Sequence, residues 1–103
     1  MDIEALLIKL KPKLSITWDD IDIEERLRTI IEDAEIALNY KLGAKIDYSQ
    51  AGQERTLFLN YCMYDWNNCL NEFDENYKKE IYQIRAKYEV QQYKSKEVIY
   101  EEK

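Results

Sequence analysis

The chain has 103 residues, 46% of them hydrophobic, with 21 acidic and 15 basic side chains, no histidine and a formal net charge of −6. That length supports one domain, near the small end, where about two-thirds of the unfolded surface is buried on folding. The acidic balance excludes the usual footprint of a phosphate-backbone binder, and two glycines with no histidine leave no Gly-rich phosphate loop and no evident general base. The expectation is a protein that is not an enzyme and holds no cofactor.

The opening, MDIEALLIKLK, places Asp2 to cap a first helix and spaces Ile3, Leu6, Leu7 and Leu10 along one face, before Pro12 disfavours helical geometry at Lys11. Asp2 and Glu4 stand where a signal peptide carries positive charge, so folding in a cytoplasm is expected. Lys9, Lys11 and Lys13 read as a solvated helix end, and the remaining basic residues read as scattered. The sharpest local signal follows between Thr17 and Glu25. There Asp19 is expected to cap a second helix, Trp18 to pack on Ile23 as a hydrophobic staple, and Asp20, Asp22, Glu24 and Glu25 to face the positive end of the helix dipole. The stripe Ile23, Leu27, Ile30, Ile31, Ala34 and Leu38 predicts a helix over residues 20–42, with Glu24 and Arg28 paired outside and Gly43 as a left-handed stop. The carboxylates Glu24, Glu25, Glu32, Asp33 and Glu35 read as a solvated face, because helical carboxylate metal sites normally add histidine at Glu-x-x-His spacing.

Residues 44–52, AKIDYSQAG, read as an irregular connector with Ile46 and Tyr48 in alternation. A third helix is predicted over residues 53–70. Within LFLNYCMYDWNNCLNEFDENY, Leu57, Tyr61, Tyr64 and Asn68 fall on one face and Phe58, Cys62, Trp66, Cys69 and Phe73 on the neighbouring one, so this helix should lie inside protein. It is no membrane span, since Asn60, Asp65, Asn67 and Asn68 interrupt it well short of roughly 20 apolar residues. Trp66, in the densest block, is the candidate core anchor. Asp65 is the odd carboxylate there and is the candidate member of a structural ion pair with Arg55 or Arg85. Cys62 and Cys69 lie about 10 Å apart along one helix, too far to bridge, and without histidine no metal site is expected.

After the polar interval NEFDEN, with Asp74 or Asn76 as a cap, Tyr77, Ile81, Ile84 and Tyr88 set the seam of a fourth helix. Asp74 with Lys78 and Glu75 with Lys79 stand in the favourable i, i+4 order. From Gln91 the periodicity is lost, and residues 91–103 read as a C-terminal tail after a helical domain of residues 1–90. Its apolar members, Tyr93, Val98, Ile99 and Tyr100, are candidates for contact with another subunit or protein; a frayed end is the alternative. The fold class is therefore all-α: a small bundle of about four helices with a short irregular connector and a tail.

The segment NYCMYDWNNCLNEFDENYKKEI, with Leu57 to Leu59 before it, resembles the third and fourth helices of the small helical head-to-tail connector (adaptor, or head completion) proteins of tailed bacteriophages. LLIKLKPKLSITWDDIDIEERLRTIIEDAEIALNYKLG is similar to the opening of that family: a leucine-rich helix, an acidic turn, then a long helix ending in glycine. The resemblance covers about residues 3–90. It implies a structural virion protein of the head-tail neck, present in the host cytoplasm during assembly. Such a protein forms a homo-oligomeric ring under the portal protein, extends the DNA channel and offers the attachment surface for a stopper or tail-completion protein. Tyr93, Val98, Ile99 and Tyr100 would then meet a neighbouring subunit or the portal. DNA would pass without specific binding, which an acidic lumen permits. The residues also allow a small cytoplasmic helical adaptor or regulator that binds another protein; charge disfavours a DNA-binding repressor.

Duplex DNA at physiological salt is expected to show no appreciable complex in a fluorescence-anisotropy titration. A salt-sensitive micromolar complex would contradict the charge argument.

Overall fold

The computed structural model describes the backbone of residues 1–101 and the side chains of residues 1–94. Among them all regular structure is helical: α1 (Ile3–Lys13), α2 (Ile21–Leu42), α3 (Gln53–Trp66), a 3-10 turn at Leu70–Glu72, the one-turn α4 (Phe73–Asn76) and α5 (Lys78–Glu101). The all-α expectation holds, and α4 is a short addition to the four helices foreseen. No helix among the described residues is long and apolar enough to cross a membrane.

Asp2 caps α1 by accepting the Ala5 N–H at 3.0 Å, while its own N–H donates to Ser49 Oγ and ties the start of the chain to the connector. Contrary to expectation, α1 runs through Lys11 and Pro12. The carbonyl that a proline leaves without its donor is that of Ile8, an exposed residue whose backbone water can reach, and only one residue of helix follows. The cap of α2 also differs by one residue. Asp20, in extended backbone, accepts from the N–H groups of Asp22 and Ile23, and Asp19 turns instead to Lys11 at 3.1 Å. That shift takes Trp18 out of staple register and leaves it 53% exposed. The Glu24–Arg28 pair is not formed, because α1 alongside offers better partners: Lys11 for Glu24 at 2.9 Å, and Glu4 for Arg28 through two bonds at 2.8 and 3.3 Å. Gly43 ends α2 in the left-handed conformation, as expected.

The inward stripe of α2, from Leu27 to Leu42, is covered by Leu6, Leu7 and Leu10 of α1 and by Leu57, Phe58, Tyr61 and Cys62 of α3. The connector closes the same core without a strand. Tyr48 is fully buried and stacks on Phe58 with ring centroids 4.5 Å apart. Its hydroxyl donates to Asn39 Oδ1 at 2.9 Å, and the same oxygen accepts the Ile46 N–H at 3.2 Å. One side-chain amide thus satisfies two polar groups that burial would otherwise strand.

α3 ends at Trp66, four residues early. Asn68 adopts φ 58°, and the N–H groups of Asn68 and Cys69 return to the carbonyls of Asp65 and Tyr64, a Schellman closure in which asparagine takes the left-handed position. Trp66 therefore sits on the last residue of the helix, half-buried at the rim of the core with the Arg26 guanidinium 4.3 Å from its ring centroid. It is not the core anchor. That role falls to Phe58, fully buried behind Tyr48, and to Phe73, enclosed by the rings of Tyr61, Tyr64 and Tyr77.

Neither Asp74 nor Asn76 caps a helix. Asp74 pairs with Lys41 of α2 at 2.9 Å and Asn76 donates to the Tyr64 hydroxyl, so the expected Asp74–Lys78 pair gives way to a contact across the fold, and the expected Glu75–Lys79 pair is not formed. Along α5 the seam of Tyr77, Ile81, Ile84 and Tyr88 faces the core as foreseen, with Ile84 fully buried. Lys87 and Tyr88 both reach Glu54 at the start of α3. The helix does not stop near Gln91 but continues to Glu101. No glycine or proline follows Gly52, and Gln, Lys and Glu sustain helix without tertiary help. Among the described residues the last hydrogen bond from α5 to the rest of the fold runs from Gln92 Nε2 to the Gly43 carbonyl, about 14 Å of axis before Glu101.

Phe58→Ala is expected to cost about 3 to 5 kcal/mol, enough to unfold a domain of this size, and Trp66→Ala clearly less. Urea titrations of both variants check the order; equal losses would return Trp66 to the centre of the core.

Candidate interaction surface

Of the residues singled out for contact with a partner, Tyr93 stands 67% exposed on the part of α5 beyond the body. Val98, Ile99 and Tyr100 lie on the last turns of the same helix, and their side chains are outside the described residues. The structure adds four residues that the sequence reading passed over. Ile36 and Tyr40 of α2 are 72% and 88% exposed, and Tyr82 and Val90 of α5 are 73% and 52% exposed. A signal for them was present. Ile36 and Tyr40 are one turn apart, and Tyr82, Ala86, Val90 and Tyr93 repeat at spacings of four, four and three, a second apolar period on the side of α5 opposite the inner seam.

Tyr40 and Tyr82 flank a groove of about 560 Å³ between α2 and the start of α5, with Ile81 at its base and Lys41, Asp74, Lys78 and Arg85 on its rim. A shallower depression continues along α5 past Tyr82, Arg85, Ala86 and Glu89. An apolar or aromatic side chain from a partner fits such a groove; it contains no nucleophile paired with a base.

The acidic side chains are unevenly distributed along the chain. Residues 1–77 hold 16 of the 21 acidic side chains but eight of the 15 basic ones. On the outward face of α2, Asp22, Glu25, Glu32 and Asp33 are exposed and form no ion pair with any described residue. On α5 the balance reverses modestly, with six basic side chains against the four of Glu80, Glu89, Glu97 and Glu101. The net negative charge therefore lies in residues 1–77.

Asp65 does not pair with Arg55 or Arg85. Arg85 bonds Glu89 one turn along α5, and the nearest cation that acts on Asp65 is Arg26, already committed to the face of Trp66. Burial, and then the charge of Asp33, raise the Asp65 carboxyl above its ordinary range; Arg26 opposes them only in part. Cys62 is buried and Cys69 half-buried, and both are free. Burial pushes the Cys62 thiol well above its usual range, which makes it inert as a nucleophile. Among the described residues no three His, Cys, Asp or Glu side chains are grouped to hold a metal ion. Comparison of the chain with protein-family models, curated proteins and solved structures returns no match.

A raised carboxyl pKa in the folded state means that the native protein binds the proton more readily than the unfolded chain. The stability tied to Asp65 is then full below the unfolded pKa and is lost as pH rises through the folded one. Asp65→Asn is expected to raise the urea midpoint at pH 7, with the gain shrinking as pH is lowered toward about 4. A variant less stable than the parent at pH 7 would mean that the carboxylate holds a favourable partner.

Proposed function

We propose that the protein is a structural assembly protein, and specifically a head-to-tail connector of a tailed bacteriophage that forms a ring under the portal and extends the DNA channel toward a stopper or tail-completion protein. The observation that carries the reading is the arm: α5 extends past the body and presents Val90 and Tyr93 to solvent, apolar surface that a free monomer has no means to bury. The resemblance of residues 3–90 to the connector family supplies the specific identity, and the all-α architecture is compatible with it. An acidic body suits a channel wall, since carboxylates repel the phosphate backbone and give a moving duplex nothing to hold. In this reading the protein is not an enzyme, and its partners are further copies of itself, the portal and the next protein of the neck.

A small adaptor that binds one helix of another protein is the second reading, favoured by the Tyr40–Tyr82 groove. The two differ in self-association.

Negative-stain electron microscopy of concentrated protein, alone and with portal, is expected to show closed rings. Removing residues 92–103 should leave the thermal transition of the body nearly unchanged while reducing rings or portal binding. A protein that stays monomeric in both settings favours the adaptor.

A further inference from the structure

We propose that the groove between α2 and α5 of one copy receives the α1–α2 turn of a second copy, with Trp18 as the side chain that enters it. Trp18 and Ile21 are both more than half exposed at the amino end of α2, and the core uses neither. Tryptophan offers a large apolar surface and is enriched among the residues that dominate protein contacts. The groove lies at the other end of α2, with the largely exposed rings of Tyr40 and Tyr82 as walls and Ile81 as floor. Roughly 150 Å³ admits a ring the size of benzene. A groove of about 560 Å³ therefore holds an indole with Ile21 beside it, and an indole packs favourably, offset or edge-on, against tyrosine rings.

Charge favours the same pairing. Around the turn Asp19, Asp20, Asp22, Glu24 and Glu25 stand against Lys11 and Lys13. Lys11 is engaged by Asp19 and Glu24, and Asp20 by the cap, which leaves Asp22 and Glu25 exposed and without an ion pair to any described residue. In the groove Lys41 and Asp74 neutralise each other, and Arg85 holds only Glu89 through an exposed contact that contributes little. Lys78 has no ion-pair partner among the described residues, so Lys41, Lys78 and Arg85 against Asp74 and Glu89 leave the groove one charge positive. One copy cannot fill its own groove, because Ile21 and Tyr40 lie on one continuous helix, about 28 Å apart along its axis. A second copy can. Turn and groove differ, so the contact is heterologous, and repeated it closes a ring or grows a filament. As the subunit contact of the ring proposed above it rests on that reading, whereas the match of turn and groove does not depend on portal or tail.

Two measurements on the full chain test the contact, with circular dichroism checking that each variant keeps the helix content of the parent. In the first, p-benzoylphenylalanine in place of Tyr82 is photo-activated in a mixture of isotopically heavy and unlabelled chains, and the cross-linked peptides are mapped by mass spectrometry. Heavy-to-light products that join position 82 to residues 17–22 are expected. Products that join it to residues 97–102 or to position 82 of another copy, or no product between copies at all, overturn the proposal. In the second, sedimentation velocity compares Trp18→Ala, Asp22→Lys with Glu25→Lys on the turn, and Lys78→Glu with Arg85→Glu in the groove; each should weaken self-association by about tenfold or more. Mixing the two charge-reversed proteins should restore it, since each reversed turn then meets a reversed groove and each native turn a native one. A mixture that associates no better than either variant alone, or a Trp18→Ala protein that associates like the parent, overturns the contact. Rings that persist in Trp18→Ala and in both charge-reversed proteins would overturn this contact and leave the connector reading intact. Restored association without rings or portal binding would support the contact and remove the connector reading.

Discussion

Covering the inner stripe of α2 is the constraint on which the rest of the structure depends. Leu27, Ile31, Ala34, Leu38 and Leu42 are all fully buried along a helix of 22 residues, about 33 Å long. α1, with 11 residues, spans about half of that length and is too short to be stable alone. The remainder must be covered by segments that arrive later in the chain. α3 and α5 both pack on α2, and the connector brings Ile46 and Tyr48 into the gap between Asn39 and Phe58. Each of these elements is ordered because it completes the burial of one stripe.

The polar contacts follow from that arrangement. Local rules of helix pairing favour partners one turn apart, yet Glu24, Arg28 and Asp74 all choose residues on a different helix. Pairs that bridge two helices fix how the elements sit on each other, and bidentate geometry as between Arg28 and Glu4 improves on a single exposed contact. Where no such partner is available the cost remains, as at Asp65, held in partly apolar surroundings with its nearest cation turned to Trp66.

Function, on the reading advanced above, lies in what the core leaves over. The inner seam of α5 ends where the body ends, while the helix and its outward apolar stripe continue. Residues 1–77 carry a net charge of −8 and residues 78–103 one of +2, so the net −6 is unevenly spread along the chain. Net charge alone describes such a molecule poorly.

The sequence by itself determined the helical class, the apolar stripes of α1, α2 and α5, the Asp2 cap and the glycine stop at Gly43, because each depends on neighbours within one or two turns. Tertiary structure decided what depends on distant residues. Which of two adjacent aspartates caps α2 turned on Lys11 drawing Asp19 away, and the depth of Trp66 turned on α3 closing at Asn68. The outward stripe of α5 was legible as spacing, but only the placement of the core on the opposite side made it a surface without a partner. The same holds for the charges: a count along the chain is a property of sequence, whereas the gathering of exposed Asp22, Glu25, Glu32 and Asp33 on the face of α2 opposite the core is a property of the fold.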